Sequence, residues 1–342
     1  MGCAITQLIE SNEIQIENLS GKVLAVDALN VIFQFLTTIR QRDGTPLIDS
    51  RGKITSHLNG LFNRTTSLMA SGLKLIFVFD GDPPKLKAGE QLRRKELKRE
   101  AMKKFEEAKE KDDIHSMRKY SSRMHHLNED MIEESKELLR ALGLPVIQAP
   151  SEGEAQASYL VKKEEAFAVV SQDADSLLFG AEKVVKNLSI AGKRKKVNRL
   201  SYEIVKPELI SLSNTLNVLG ITQEQLIVLG ILVGTDYNPG GVLGLGPKKG
   251  LKLVKEFGSD FDKLFSSIEW SFDFSWRDVY DLFVNIPVSD EYKLEWGDVD
   301  TDRVKKLLCG EHDFSEQTVD KKLKKLIEFK HDKKQGKLEK WF

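Results

Sequence analysis

Three stretches of the chain are apolar without interruption, and each runs into a carboxylate. Val23-Leu24-Ala25-Val26 leads to Asp27, and Leu75-Ile76-Phe77-Val78-Phe79 leads to Asp80. Ala166-Phe167-Ala168-Val169-Val170 leads through Ser171 and Gln172 to Asp173 and Asp175. Runs of this length without polar alternation suit strands covered on both faces, as in a parallel sheet. The intervening stretches have helical character. The pattern therefore predicts an α/β fold with a central, mostly parallel, twisted sheet flanked by helices. In such a sheet the functional crevice lies outside the carboxyl ends of the strands, where all three acidic positions fall. A fourth short run, Pro145-Val146-Ile147, precedes Pro150-Ser151-Glu152, and Ser151 is read as a helix N-cap with Glu154 at the capping-box spacing.

The alternation breaks at residues 85–125. This segment is dominated by charge, and its evenly spaced Ala, Leu, Met and Phe suggest helices. It holds 14 Lys and Arg against 8 Asp and Glu, a net of +6, in a chain whose 52 basic and 52 acidic residues balance. A solvated helical pair explains such a segment. Positive charge gathered in one place within a neutral chain also suits a polyanion. Lys193-Arg194-Lys195-Lys196, following Ala191-Gly192, reads as the tip of a hairpin. Gln223 to Gly234 reads as an apolar helix ending at Gly234-Thr235-Asp236. Gly244-Leu245-Gly246-Pro247-Lys248-Lys249-Gly250 then opens a helix around Leu251 to Phe257. These glycines lack the dinucleotide spacing. A Gly-rich turn opening a helix presents N–H groups to a phosphate, and an ordinary helix–helix turn fits as well. Residues 266–300 carry three of the four tryptophans and no readable chemistry.

Composition narrows the setting. The 342 residues are 40% hydrophobic, enough for a substantial core. Cys3 and Cys309 are the only cysteines, which suggests neither a disulfide framework nor a zinc site. No apolar run approaches the ~20 residues of a membrane span. Met1-Gly2-Cys3-Ala4-Ile5-Thr6 matches a myristoylation pattern, but no polybasic segment follows to supply a second anchoring signal.

The acids at predicted strand and helix ends are Asp27, Asp80, Glu152, Glu154, Asp173, Asp175 and Asp236. Each alone reads as a cap or turn residue. Together at one sheet edge they would repel one another and raise one another's pKa. Hard divalent cations relieve that repulsion: Mg2+ takes a few carboxylate oxygens and keeps waters for a substrate's phosphates. Two such ions about 4 Å apart form a clamp for in-line displacement at phosphorus. No His/Cys cluster competes for a softer metal, and there is no Walker Lys motif or Ser–His–Asp pattern. The chemistry reads as metal-assisted phosphodiester hydrolysis.

Several segments resemble motifs of the flap endonucleases. They are Phe79-Asp80-Gly81-Asp82-Pro83-Pro84, Ala149-Pro150-Ser151-Glu152-Gly153-Glu154-Ala155, Ser171-Gln172-Asp173-Ala174-Asp175 and Gly234-Thr235-Asp236-Tyr237, with Thr55 to Phe62 and Gln335 to Phe342. The resemblance runs in family order from about Leu19 to Phe342, in forms similar to the archaeal branch. It implies a structure-specific 5′-flap endonuclease with 5′–3′ exonuclease activity, acting at branched DNA during lagging-strand processing and repair. It also implies two Mg2+ ions, with Mn2+ as a substitute: Asp27, Asp80, Glu152 and Glu154 would hold or orient the first, and Asp173, Asp175 and Asp236 the second. Segment 85–125 would be a helical arch for the 5′ strand, with Lys87 and Arg94 facing the scissile phosphate. Phe33 would stack on a base beside the cleavage point. Residues 236–257 would grip duplex phosphates, with K+ held by backbone carbonyls. Gly2, Gly244, Gly246, Lys248, Lys249 and the patch Lys193, Arg194, Lys195 and Lys196 complete the expected DNA contacts.

The last eight residues point to a partner. In a helical turn Leu338, Trp341 and Phe342 share one face, an anchor set for an apolar groove. With Gln335, their spacing resembles the motif that docks on the replication sliding clamp (PCNA). The expected organisation is a single nuclease domain over 1–330: an N-terminal region to about 105, the arch over about 85–125, an internal region over about 126–265 and a helical remainder over about 266–330. A mobile clamp-binding tail over 331–342, a monomeric state and a cytoplasmic, archaeal-type location (nuclear in a eukaryote) complete the expectation. Two alternatives share the acids: another nuclease of the superfamily, exonucleolytic or bubble-cutting, and a non-catalytic DNA or clamp adaptor.

Overall fold

The computed structural model describes residues 4–41, 44–111, 113–124, 127–190, 192–195 and 202–338. A seven-stranded sheet forms its centre. In chain order the strands are β1 (Asn12–Glu13), β2 (Val23–Asp27), β3 (Lys74–Phe79), β4 (Val146–Gln148), β5 (Ala168–Val170), β6 (Lys183–Lys186) and, after a separate ribbon of β7 (Gly192–Lys195) and β8 (Tyr202–Val205), β9 (Glu208–Ser211). The spatial order is β1-β9-β6-β5-β2-β3-β4, and β6, β5, β2, β3 and β4 are mutually parallel. The three apolar runs are thus the middle of the sheet, as the pattern predicts.

Those strands have no polar alternation because both faces are covered. Ala25, Ile76, Val78 and Val169 face one core, which also takes Ala157 and Leu160 of helix Gly153–Lys162 and Leu226 to Val233 of helix Gln223–Val233. Leu24, Val26, Phe77, Phe79 and Val170 face the other, packed on helices Ala28–Thr38, Ser56–Ala70 and Glu129–Ala141. After its polar first turn, helix Gln223–Val233 is apolar all round from Leu226 to Val233 because it is buried all round there. Among the described residues no single helix is long and apolar enough to cross a membrane.

The charged segment folds as a helical hairpin, Ala88–Glu110 and Ile114–Met124, entered through the turn Lys85–Lys87. Ala101, Phe105 and Ala108, at helical spacing, are the apolar positions buried on its longer arm. Two expectations need correction. The basic patch belongs to a hairpin, but Lys193, Arg194 and Lys195 lie along its first strand, β7, paired antiparallel with β8, and Lys196 falls outside the described residues. Nor is Ser151 the N-cap of the helix starting at Gly153. Glu152 holds that position, while Ser151 Oγ donates to Asp82 O at 3.1 Å. The reason is that Asp80, from the neighbouring strand end, already accepts from Gly153 N at 2.6 Å.

At the C-terminal end, helix Glu316–Leu338 lays Val319, Leu323 and Leu326 into the core against helix Ser56–Ala70. Its backbone stays helical through Gln335 to Leu338, the last described residue of the 331–342 segment expected to be mobile. Trp341, Phe342 and Gly2 lie outside the described residues.

Candidate active site and family

Four of the five parallel strands, β2, β3, β4 and β5, deliver acids to one edge. Asp27 is the last residue of β2 and at the same time the N-cap of helix Ala28–Thr38, accepting from Asn30 N at 3.1 Å. Asp80 follows β3 directly, and Glu152 and Glu154 flank the start of the helix after β4. Gly153 between them makes room for the Asp80 carboxylate, since a Cβ there would lie 2.6 Å from Asp80 Oδ1 and push it aside. Asp173 and Asp175 follow β5.

Asp236 comes from elsewhere. It sits in the loop after helix Gln223–Val233, and that loop is locked from within. Asn238, fully buried, accepts from Thr235 Oγ1 at 2.7 Å and donates to Ile231 O at 2.7 Å. Gly241, at φ +60°, lets the returning chain cross so closely that a Cβ would lie 2.4 Å from Val233 C.

Electrostatics link all seven into one cluster. Burial pushes Asp27 well above the ordinary carboxylate range, and the charges of Asp80 and Asp173 add to this. Burial raises Glu154 likewise, reinforced by Asp27, Asp175 and Asp173. Burial also raises Asp80, against the pull of Lys87 and the Gly153 N–H. Glu152 is raised although Lys87 Nζ sits 2.5 Å from its Oε2, because burial outweighs one cation, and Asp80 and Asp236 repel it further. Burial disfavours the charge of Lys87, yet Glu152, Asp80 and Asp236 together hold it above its ordinary value.

Lys87 and Arg94 enter this cleft from the base of the helical hairpin. Lys87 Nζ lies 3.9 Å from Asp236 Oδ2, and Arg94 Nη2 lies 2.7 Å from the same oxygen. Two cations facing seven carboxylates leave a large excess of negative charge, which suits hard divalent cations and a phosphate between them.

Residues 4–101 match the model of the XPG N-terminal domain, and residues 143–236 that of the XPG I-region. Flap endonuclease 1 of Pyrococcus furiosus is 49% identical over 342 residues, spanning 100% of this chain and 99% of that protein. The chain belongs to the flap endonuclease family. The structure of flap endonuclease-1 from Methanococcus jannaschii matches with a TM-score of 0.77 at 41% identity, covering 97% of this chain and 100% of that one. The catalytic core of Rad2 in complex with DNA substrate matches with a TM-score of 0.68 at 26% identity, covering 95% of this chain and 100% of that one. This flap endonuclease is therefore a structure-specific nuclease that hydrolyses phosphodiester bonds at 5′ flaps and depends on a divalent metal.

Glu152, Glu154, Asp175 and Asp236 line one cleft with Lys87, Arg94 reaches Asp236 there, and Asp27, Asp80 and Asp173 are coupled to these acids by charge, while other named residues stand apart. Phe33 lies on helix Ala28–Thr38 and is 43% exposed, unusual for an aromatic on an otherwise core-facing helix. Gly246 is the N-cap of helix Pro247–Phe257, and Gly244, Lys248 and Lys249 beside it are exposed. Sequence reasoning missed the residues that orient the acids. Asn30 donates through Nδ2 to Asp173 Oδ2 at 3.1 Å while its backbone N–H holds Asp27. Ser171 Oγ donates to Glu154 Oε1 at 2.7 Å, and Ser176 Oγ to the same oxygen at 3.3 Å. The spacing Asp27-x-x-Asn30 was the available signal. Residues 266–300 also gain a place: Phe283 lines the cleft and packs edge-on against Tyr237, ring centroids 5.3 Å apart.

Proposed function

We propose that this flap endonuclease cuts branched DNA with two Mg2+ ions held by the seven carboxylates, and that it docks on a sliding clamp. The observation that carries the reading is the convergence of acids from the strand ends and from the locked Asp236 loop on one cleft, with Lys87 and Arg94 reaching in from the hairpin. Asp27, Asp80, Glu152 and Glu154 would hold or orient one ion, and Asp173, Asp175 and Asp236 the other, with Mn2+ as a substitute. When bound, such a pair activates a water and neutralises charge on the phosphate.

The residues of the chain do the rest. Asn30, Ser171 and the Gly153 N–H fix Asp173, Glu154 and Asp80 in place before substrate arrives. Lys87 and Arg94 turn their donors from Glu152 and Asp236 to the non-bridging oxygens of the scissile phosphate, where preorganised charge lowers the barrier. Phe33 stacks on the base beside the cut. The hairpin 88–124 surrounds the 5′ strand. The exposed N-terminus of helix Pro247–Phe257, with Gly244, Gly246, Lys248 and Lys249, and the ribbon carrying Lys193, Arg194 and Lys195, together with Lys196, take duplex phosphates without reading sequence. Backbone carbonyls of the 236–257 segment hold K+, and Gly2 approaches the DNA.

The likeness to Rad2 bound to DNA supports branched DNA as the ligand. Gln335, Leu338, Trp341 and Phe342 form the clamp-docking face. The enzyme works as a monomer in an archaeal-type cytoplasm. Cleavage of a 5′-flap, a plain duplex and a bubble with Mg2+ tests the reading: the flap is cut fastest, and equal rates on all three would sink it.

A further inference from the structure

Glu90 lies in the first turn of helix Ala88–Glu110, one turn beyond Lys87, and is only 3% exposed although the helix around it is strongly charged. Both of its oxygens accept hydrogen bonds from guanidiniums. Arg93 donates through Nε to Oε2 at 2.6 Å and through Nη2 to Oε1 at 2.7 Å. Arg94 donates through Nε to Oε1 at 2.8 Å. The far end of Arg94 reaches Asp236 Oδ2 at 2.7 Å. We propose that Glu90 is a positioning residue for cleavage: its buried carboxylate grips the Arg94 guanidinium by Nε and aims the outer nitrogens into the acidic cleft.

The guanidinium is a rigid plane with donors in a fixed fork. Holding Nε therefore sets the direction of Nη1 and Nη2, whereas a free Arg on an exposed helix face samples many rotamers. The arrangement keeps its positive charge, because one carboxylate is shared between two guanidiniums and a net +1 remains facing the cleft. The hydrogen bonds from Arg93 first, and then those from Arg94, hold the Glu90 carboxyl down at about 2, so it stays ionised throughout the working range of a nuclease. The competing account is that Glu90 only stabilises the helix start, where a negative charge meets the positive end of the dipole.

The inference rests on Arg94 acting on the scissile phosphate, and the experiment separates the two. Single-turnover cleavage of a 5′-flap with Mg2+ at saturating enzyme is measured for wild type, Glu90→Gln, Glu90→Asp, Arg94→Ala and Glu90→Gln/Arg94→Ala. Flap affinity is measured in parallel without divalent ion. Glu90→Asp keeps the charge at the helix start but is one methylene too short to hold Arg94. Both single Glu90 variants are expected to cleave roughly 10-fold to 10²-fold more slowly, the scale of a misplaced reacting group, with affinity unchanged. The double variant is expected to be no slower than Arg94→Ala, because Glu90 has nothing left to position. Glu90→Asp at the wild-type rate, or a double variant slowed by the product of both effects, overturns the inference and leaves Arg94 its role. Arg94→Ala at the wild-type rate overturns that role and the inference together.

Discussion

The two sides of the cleft are built from opposite kinds of structure. On the acidic side, backbone decides position: Asp27 and Asp80 stand at the buried ends of core strands, and Asp236 in a loop closed by Asn238. On the basic side, position rests on side-chain ion pairs. Arg94 is 46% exposed along its side chain, is carried on a long helix with exposed Leu92, Leu97 and Met102, and is held by Glu90 and Asp236. The difference separates two jobs. On the proposed roles, acids that hold metal ions gain from being embedded where a shift would disrupt the core. Cations that meet an incoming DNA strand gain from sitting on a helix face where charge finds their partners.

The sharpest way to break this comparison is to remove one embedded acid. Asp175→Ala leaves the strand ends intact and deletes one ligand of the proposed pair. Single-turnover hydrolysis should fall by more than the ~10²–10³ expected for a single preorganised donor. Flap affinity should hold or improve, because repulsion drops. Near-normal cleavage in Mg2+ would remove Asp175 from the site.

The next largest effect belongs to the movable side. Arg94→Ala should cost ~10²–10³ in single-turnover rate at saturating DNA. A loss seen only at subsaturating DNA would assign Arg94 to binding.

Lysines remote from the cleft should behave differently again. Replacing Lys248 and Lys249 by Ala should weaken binding to all flap sequences alike. The slope of log affinity against log salt should become shallower by about 0.7–0.9 for each phosphate no longer neutralised. A sequence-dependent loss of affinity would contradict phosphate recognition at these lysines.

A smaller effect exposes the strain in the embedded side. Asp27 and Glu154 titrate above their ordinary values because of burial first and neighbouring acids second. Their contribution favours the folded state while they are protonated. It is lost as pH rises from the ordinary carboxylate range through their raised folded values. Glu154→Gln keeps the oxygen that accepts from Ser171 and Ser176 and should raise the Tm of metal-free protein at pH 8 by about 2 °C, the scale of ~1 kcal/mol in a chain this long. Mg2+ should stabilise the wild type more than this variant. A lower Tm for the variant would show that the ionised carboxylate is not strained.

Last comes a change expected to leave basal activity untouched. Deleting Gln335–Phe342 should abolish clamp binding and clamp stimulation. Loss of flap cleavage without clamp would show that the segment serves the nuclease itself.

The same contrast explains what is legible in the sequence. Continuous apolar runs ending in Asp27, Asp80 and Asp173 disclose both the parallel sheet and its acidic edge, because burial on both faces leaves a one-dimensional trace. Ser151 has the spacing of a cap without being one, because the true acceptor for Gly153, Asp80, is 73 residues away and becomes its neighbour only through the β3–β4 pairing. Lys193 to Lys195 resemble a tip because Ala191-Gly192 looks like a turn, whereas the chain continues as β7. Asn30 leaves only the spacing Asp27-x-x-Asn30 as a trace, and Glu90 and Phe283 carry no signal of their own, since each works through a partner that only the fold supplies.

The most direct test of the account is the dependence of single-turnover 5′-flap cleavage on free Mg2+. Two ions held by the seven carboxylates predict no cleavage without the metal and a rate that rises with close to the square of its concentration while both sites are scarcely filled. Asp175→Ala should lower that order toward one. A strictly first-order rise in the wild type would contradict the two-ion site, and cleavage that persists after complete chelation would contradict the carboxylate cluster as the seat of the chemistry.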